Sequence, residues 1–303
     1  MKKLLLNVPW ADLRTEPETR CTTHQGEDPH QETQALLGEQ LVAHEESDGW
    51  VRVEAIEQPI YRESKWIGYG GWIAESDTIE VGNFPETNHM VTQPWVPVHS
   101  APRQKSELLM YAPLGARLRA KKAGEWASIV LPDGREGWCR SEALAALESL
   151  TLPETQLRKR LVELSLPYLG HPYLWGGRTI YTQQFEGRIT GNDCSGLTHL
   201  AHRLCGIDIP RNAAEQLLKS RPLDAHPQPG DLVFLAKSAT PTKIFHVMFC
   251  VDDNTLLEAT QLCWAIRTIS AEERLGKRLS AFHSGEHNGT HFIYFGSYVS
   301  THR

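Results

Sequence analysis

The first 148 residues carry one series of strand-forming blocks twice, and this repeat restricts that half of the chain to small β-structures. The first copy has Val8-Pro9 with Leu13-Arg14 and Pro17, then Leu37-Gly38-Glu39-Gln40-Leu41, Gly49-Trp50-Val51-Arg52-Val53 and Gly71-Trp72-Ile73. The second has Val96-Pro97-Val98 with Pro102, then Leu114-Gly115-Ala116-Arg117-Leu118, Glu125-Trp126-Ala127-Ser128-Ile129 and Gly137-Trp138-Cys139. Each copy runs from a starting strand to an L-G-x-x-L block, a tryptophan-centred strand and a closing Gly-Trp strand. Short alternating apolar runs broken by Gly, Pro, Asp and Asn favour strands over helices. Trp50, Trp72, Trp126 and Trp138 are expected to fill the barrel cores.

These blocks resemble bacterial SH3-like domains, which usually serve cell-wall enzymes. The resemblance implies barrels over residues 1–82 and 83–148. Leu147 to Pro153 reads as a linker, after which Leu157, Leu161, Leu164 and Leu166 give a helix its apolar stripe. Helical patterns then precede alternating strands through residues 149–303, the order of an α+β domain. The expected fold is therefore multidomain, with two all-β SH3-like barrels before an α+β domain.

Composition narrows the partners. The 303 residues suffice for two or three domains. A formal charge of −6 leaves no basic footprint for nucleic acid. No lysine-rich run suits an anionic membrane surface, and no apolar stretch approaches a membrane span. The opening MKKLLL imitates a secretory signal, but Asn7, Pro9, Asp12 and Arg14 break it, and a cytoplasmic protein is expected. The six cysteines, at 21, 139, 194, 205, 250 and 263, form no C-x-x-C pair. Cys205 and Cys250 lie in apolar patterns and read as core residues.

Cys194 has a different context. Leu197, Leu200, Ala201 and Leu204 recur at helical spacing, so a buried helix begins near Cys194 with Asp193 as its cap. A thiol in the first turn meets unpaired backbone N–H groups and the positive end of the helix dipole, which favour thiolate. The same N–H groups suit a developing oxyanion. A thiolate nucleophile needs a base within hydrogen-bond reach. Ile244 to Val251 reads as a strand that is apolar apart from His246, and Thr255 to Thr260 as the next strand. A hairpin turning around Asp252 places Glu258 opposite His246, where a carboxylate orients the imidazole.

Tyr173-Leu174-Trp175-Gly176-Gly177, Asp193-Cys194-Ser195-Gly196, Ile209-Pro210-Arg211 with Gln216, Pro229-Gly230-Asp231-Leu232-Val233-Phe234 and His246-Val247 follow in order. Together they resemble the NlpC-type family of papain-like cell-wall peptidases, over roughly residues 155 to 265. The resemblance implies a papain-like catalytic domain with Cys194 as nucleophile, His246 as base and position 258 as the orienting residue. The family usually has His there, and sometimes Asn or Gln; this chain has Glu. Residues Arg178 to Gly191 are expected to form a loop beside the site.

The whole arrangement resembles the γ-D-glutamyl-L-diamino acid endopeptidases, whose first SH3-like domain closes one end of the cleft. That resemblance assigns Glu39, Tyr69 and Asp193 to the free amino group of an N-terminal L-Ala. It also puts Ser195 and Trp175 beside the substrate. The expected activity is hydrolysis of the γ-D-Glu–diamino acid bond in murein peptides during wall-peptide recycling, without a cofactor. An amidase or acyltransferase using the same thiol, and an inactive wall-peptide binder, are the alternatives. His283, His287 and His291 share a four-residue spacing, but Ser284, Gly285, Asn288 and Gly289 break a helix there, so no metal site is expected.

Overall fold

The computed structural model describes residues 1–19, 28–185, 189–223, 226–240 and 243–299, and Cys21 lies outside them. The chain divides into two compact units, Met1–Leu150 with Trp175–Ile180, and Thr151–Leu174 with Tyr181–Arg303.

The N-terminal unit holds two seven-stranded antiparallel sheets. The first comprises β1 (Lys2–Leu6), β2 (Trp10–Arg14), β3 (Gln31–Leu36), β4 (Gln40–Ser47), β5 (Trp50–Arg62), β6 (Lys65–Ala74) and β7 (Thr78–Val81). The second comprises β8 (His89–Val91), β9 (Val96–His99), β10 (Leu108–Ala112), β11 (Arg117–Ala123), β12 (Trp126–Val130), β13 (Glu136–Arg140) and β14 (Leu144–Ala146). The spatial orders are β3-β2-β6-β5-β4-β1-β7 and β10-β9-β13-β12-β11-β8-β14, so the second sheet reproduces the first strand for strand. The repeat in the sequence is thus a repeat of topology. Among the described residues both ladders are open, with β3 and β7, and β10 and β14, at the ends. The sheets are therefore not barrels closed by hydrogen bonding. Aliphatic clusters shield the inner faces, including Leu13, Leu41, Val51, Val53 and Ile73 in the first and Val98, Leu118, Ile129 and Leu144 in the second.

The four repeat tryptophans do not form these cores. Trp50, Trp72, Trp126 and Trp138 are only half-buried, while Val51, Ile73, Ala127 and Cys139 beside them are buried. Strand alternation explains the correction, since neighbouring residues point to opposite faces. In each closing Gly-Trp pair, Gly71-Trp72 and Gly137-Trp138, the glycine faces inward. A Cβ on Gly71 would lie 2.9 Å from the Leu13 Cβ, and one on Gly137 only 2.4 Å from a Val98 methyl. The buried tryptophans are Trp10 and Trp95, whose rings meet at 5.0 Å. The Trp95 indole N–H donates to the Ile180 carbonyl at 3.0 Å, which satisfies its polar end.

The second unit begins with α1 (Glu154–Ser165), α2 (Cys194–Arg203) and α3 (Ala213–Lys219). It continues through β15 (Arg221–Pro222), β16 (Leu232–Ala236), β17 (Ile244–Asp252), β18 (Thr255–Thr260), β19 (Ala265–Ser270), α4 (Ala271–Leu275), β20 (Glu286–His287) and β21 (Phe292–Ser297). The sheet runs β15-β21-β16-β17-β18-β19, with β20 against β21, and helices precede strands as in an α+β domain. α1 buries Leu157, Leu161 and Ser165, while Leu164 is half-buried and Leu166 lies exposed beyond the helix end. The inward face follows the four-residue helical step rather than every leucine. Cys205 and Cys250 are buried core residues. His287 pairs with Phe292 in a short β-ladder, so the histidine spacing is not realised on a helix.

Candidate active site

The nucleophile's position follows from the cap of α2. Asp193 has extended backbone (φ −86°, ψ −179°), and its carboxylate accepts the Gly196 N–H at 2.6 Å. Cys194 is thereby the first helical residue and remains half-buried. The cap occupies the Gly196 N–H and fixes the first turn, in which Cys194 opens the helix.

The remaining motifs brace this turn. Arg211 donates to both Asp193 oxygens, at 3.1 and 2.8 Å, and to the Ser195 hydroxyl at 2.9 Å. Gln216 donates its amide to the carbonyls of Ser195 and Pro210, at 3.0 and 2.9 Å, and accepts the Thr198 hydroxyl at 2.8 Å. Asp231 accepts Arg158 from α1 at 2.9 Å. The Ile-Pro-Arg segment thus secures the turn that carries the thiol, while the Pro-Gly-Asp segment is tied to α1.

His246 lies in β17, almost wholly buried, with its Nε2 2.6 Å from Glu258 Oε2. Cys194 stands close enough to the imidazole to favour its charged form, so the thiol, His246 and Glu258 are brought together. Burial disfavours the imidazolium, but the neighbouring Cys194 and Glu258 prevail and raise its pKa to about 9. Burial likewise opposes ionisation of Glu258, yet His246, Arg274 and Arg267 hold its carboxyl down at about 2. The site therefore favours a protonated base beside a charged orienting group.

The strand register differs from the expected hairpin. Phe249 pairs with Leu257, and Cys250 with Leu256, because the turn is Asp253–Asn254 and a bulge follows Cys250. Glu258 consequently sits on the same face as His246 but diagonally displaced, within reach of a long side chain. Sequence reasoning missed two further partners. Arg267 lies directly across the β18–β19 ladder and donates Nε and Nη2 to Glu258 Oε1, at 3.0 and 2.8 Å. Arg274 of α4 donates Nε to Oε2 at 3.2 Å. A lone arginine opposite the buried acid was the available signal for Arg267; nothing local marks Arg274.

Asp193 and Ser195 stand beside the nucleophile, both buried and joined to Arg211. In the N-terminal unit, Glu39 is buried and ion-pairs with Arg178, while its Oε2 also accepts Gln58 at 2.9 Å. Tyr69 donates its hydroxyl to Glu32 at 2.7 Å, a partner that sequence reasoning did not name. Trp175 is exposed and belongs to the Trp175–Ile180 segment of that unit. Arg178, at the start of the expected loop, is buried in the N-terminal unit, where its guanidinium pairs with Glu39 and its backbone N–H donates to Gln34. Residues 186–188 of the expected loop lie outside the described residues.

This constellation is the site of a thiol hydrolase, and similarity to known proteins makes the class specific. Residues 170–275 match the NlpC/P60 family model. A Bacillus cereus protein named Gamma-D-glutamyl-L-lysine dipeptidyl-peptidase is 29% identical over 234 residues, which span 75% of this chain and 67% of that protein. A Bacillus subtilis protein of the same name is 26% identical over 248 residues, 80% of this chain and 77% of that one. The crystal structure of an NlpC/P60 family protein from Bacillus cereus shares the fold, with a TM-score of 0.78 over 98% of this chain and all of the other, at 22% identity. The chain carries an NlpC/P60 domain and is a cysteine peptidase.

Proposed function

We propose that this enzyme hydrolyses the γ-D-glutamyl–diamino acid bond of murein peptides that begin with a free L-Ala. The observation that carries the reaction type is the grouping of Cys194 with His246, whose imidazole is hydrogen-bonded to Glu258. The names of the two Bacillus relatives support the choice of bond. The thiolate attacks the γ-carbonyl, and the resulting oxyanion meets the first-turn N–H of α2. Protonated His246 gives its proton to the departing amine, and the thioester forms. Neutral His246 then takes a proton from the water that attacks the thioester carbonyl. The C–S bond breaks to release the γ-carboxyl product, and the thiolate and protonated His246 are restored.

The exposed amino group of L-Ala needs an acid. Glu39 is committed to Arg178 and Gln58, whereas Glu32 is half-buried and holds the Tyr69 hydroxyl. This reading assigns the ammonium to Glu32 with Tyr69 in place of Glu39. The matching strand orders of the two N-terminal sheets support their interpretation as paired SH3-like modules. A demand for free L-Ala suits peptides already released from the wall, so we place the enzyme in cytoplasmic wall-peptide recycling, which cell fractionation tests.

The deciding experiment is mass spectrometry of L-Ala-γ-D-Glu-diaminopimelate and its lysine counterpart with wild type and Cys194→Ala. Release of the diamino acid and L-Ala-D-Glu by wild type alone is expected, with N-acetylation of L-Ala abolishing it. Equal cleavage of acetylated and free substrates would overturn the amino-group requirement.

A further inference from the structure

Glu258 is an unusual orienting group because it is both fully buried and charged. Its side chain is 0% exposed, and an uncompensated carboxylate there would cost several kcal/mol. The four donor contacts divide evenly between its two oxygens. Arg267 Nε and Nη2 occupy Oε1, while Arg274 Nε shares Oε2 with His246. Two guanidiniums therefore face one carboxylate, and only one direction on it remains for the imidazole.

We propose that Arg267 and Arg274 are positioning residues of the catalytic line, which aim Glu258 at His246 and cancel enough of its charge for His246 to alternate between acid and base. The inference rests on the cysteine-peptidase reading of the site, not on which bond is cut. The charged and titratable groups around the pair come from every neighbouring element: Cys194 on α2, Glu258 on β18, Arg267 on β19 and Arg274 on α4. Acylation needs the imidazolium as proton donor, whereas deacylation needs the neutral ring as base. A bare anion at 2.6 Å would hold the proton on His246 and slow the second step. The arginines counter that pull. Arg267 is placed for this by strand register alone, since it is the cross-strand partner of Glu258.

The test uses the whole enzyme and two readouts, one independent of substrate. His246 is titrated by NMR, and the rate of Cys194 alkylation by iodoacetamide is followed against pH, alongside kcat on the peptide that wild type cleaves. Arg267→Met should raise the His246 titration by about one unit, move the alkaline limb of alkylation upward and lower kcat roughly tenfold. Arg267→Lys keeps the charge but not the fork, so it should restore the titration while kcat stays low. In a Glu258→Gln background, Arg267→Met should move neither profile. An unmoved or lowered titration in Arg267→Met, or an equal shift in the Glu258→Gln background, would overturn the proposal. If Arg267→Met does not fold, Arg274→Met and Arg267→Lys supply the same comparison. Absence of peptide cleavage by wild type would defeat the proposed bond and leave the titration and alkylation readouts intact.

Discussion

At the residue scale, a carboxylate at position 258 changes the acid–base balance of the thiol site. His246 is raised to about 9 from an ordinary 6.5, against burial and through Cys194 and Glu258. Glu258→Gln removes one of those supports. The alkaline limb of the kcat/KM profile should therefore move to lower pH, with a loss of about tenfold or more at its optimum. A pH–rate comparison with wild type checks this. The same pair links stability to pH. Glu258 is depressed to about 2 from an ordinary 4.5, so its contribution is present above 4.5 and fades as pH falls toward 2. The raised His246 contributes fully below 6.5 and loses that contribution as pH rises through about 9. Urea unfolding should show the greatest advantage of wild type over Glu258→Gln between those ordinary values. The other cysteines behave differently. Burial raises Cys139 to about 11 and Cys205 to about 12, and pushes Cys250 up further. Among the described cysteines, brief alkylation at neutral pH should thus label half-buried Cys194 and exposed Cys263, as peptide mapping would reveal.

At the element scale, each N-terminal sheet depends on the inward glycine of its closing strand, β6 or β13, more than on its half-buried repeat tryptophans. A methyl at Gly137 meets Val98 at 2.4 Å, a distance that forces β9 and β13 apart. Gly137→Ala should cost about 1–3 kcal/mol in chemical unfolding. Trp126, by contrast, packs its half-buried ring against Arg140, at 4.7 Å, on the outer face. Trp126→Phe should change stability far less, and comparison of the two variants tests which member of each repeat supports the sheet.

At the scale of the whole molecule, chain order and structural unit part company at Trp175–Ile180. This segment follows the start of the second unit in sequence but belongs to the N-terminal unit. Arg178 anchors it there through Glu39, which is 139 residues away in the chain. Both partners are buried, so Arg178→Ala leaves an uncompensated carboxylate and should lower stability by about 3–5 kcal/mol. Urea unfolding followed by tryptophan fluorescence measures that loss. A companion Arg178→Ala/Glu39→Gln protein should recover part of it, because its buried acid has become neutral.

The sequence by itself determined what depends on nearby residues. The cap at Asp193, the helix beginning at Cys194 and the apolar strand holding His246 each follow from rules acting over a few positions. The doubled blocks before residue 148 likewise announced two sheets of one topology. Tertiary structure decided the rest. A bulge after Cys250 set the diagonal approach of Glu258, and parity within strands turned Trp50, Trp72, Trp126 and Trp138 away from the cores. Glu39 acquired Arg178, and Glu258 acquired Arg267 and Arg274. A buried charge must be neutralised by whatever the fold brings within reach, and local sequence rules carry no information about that distance.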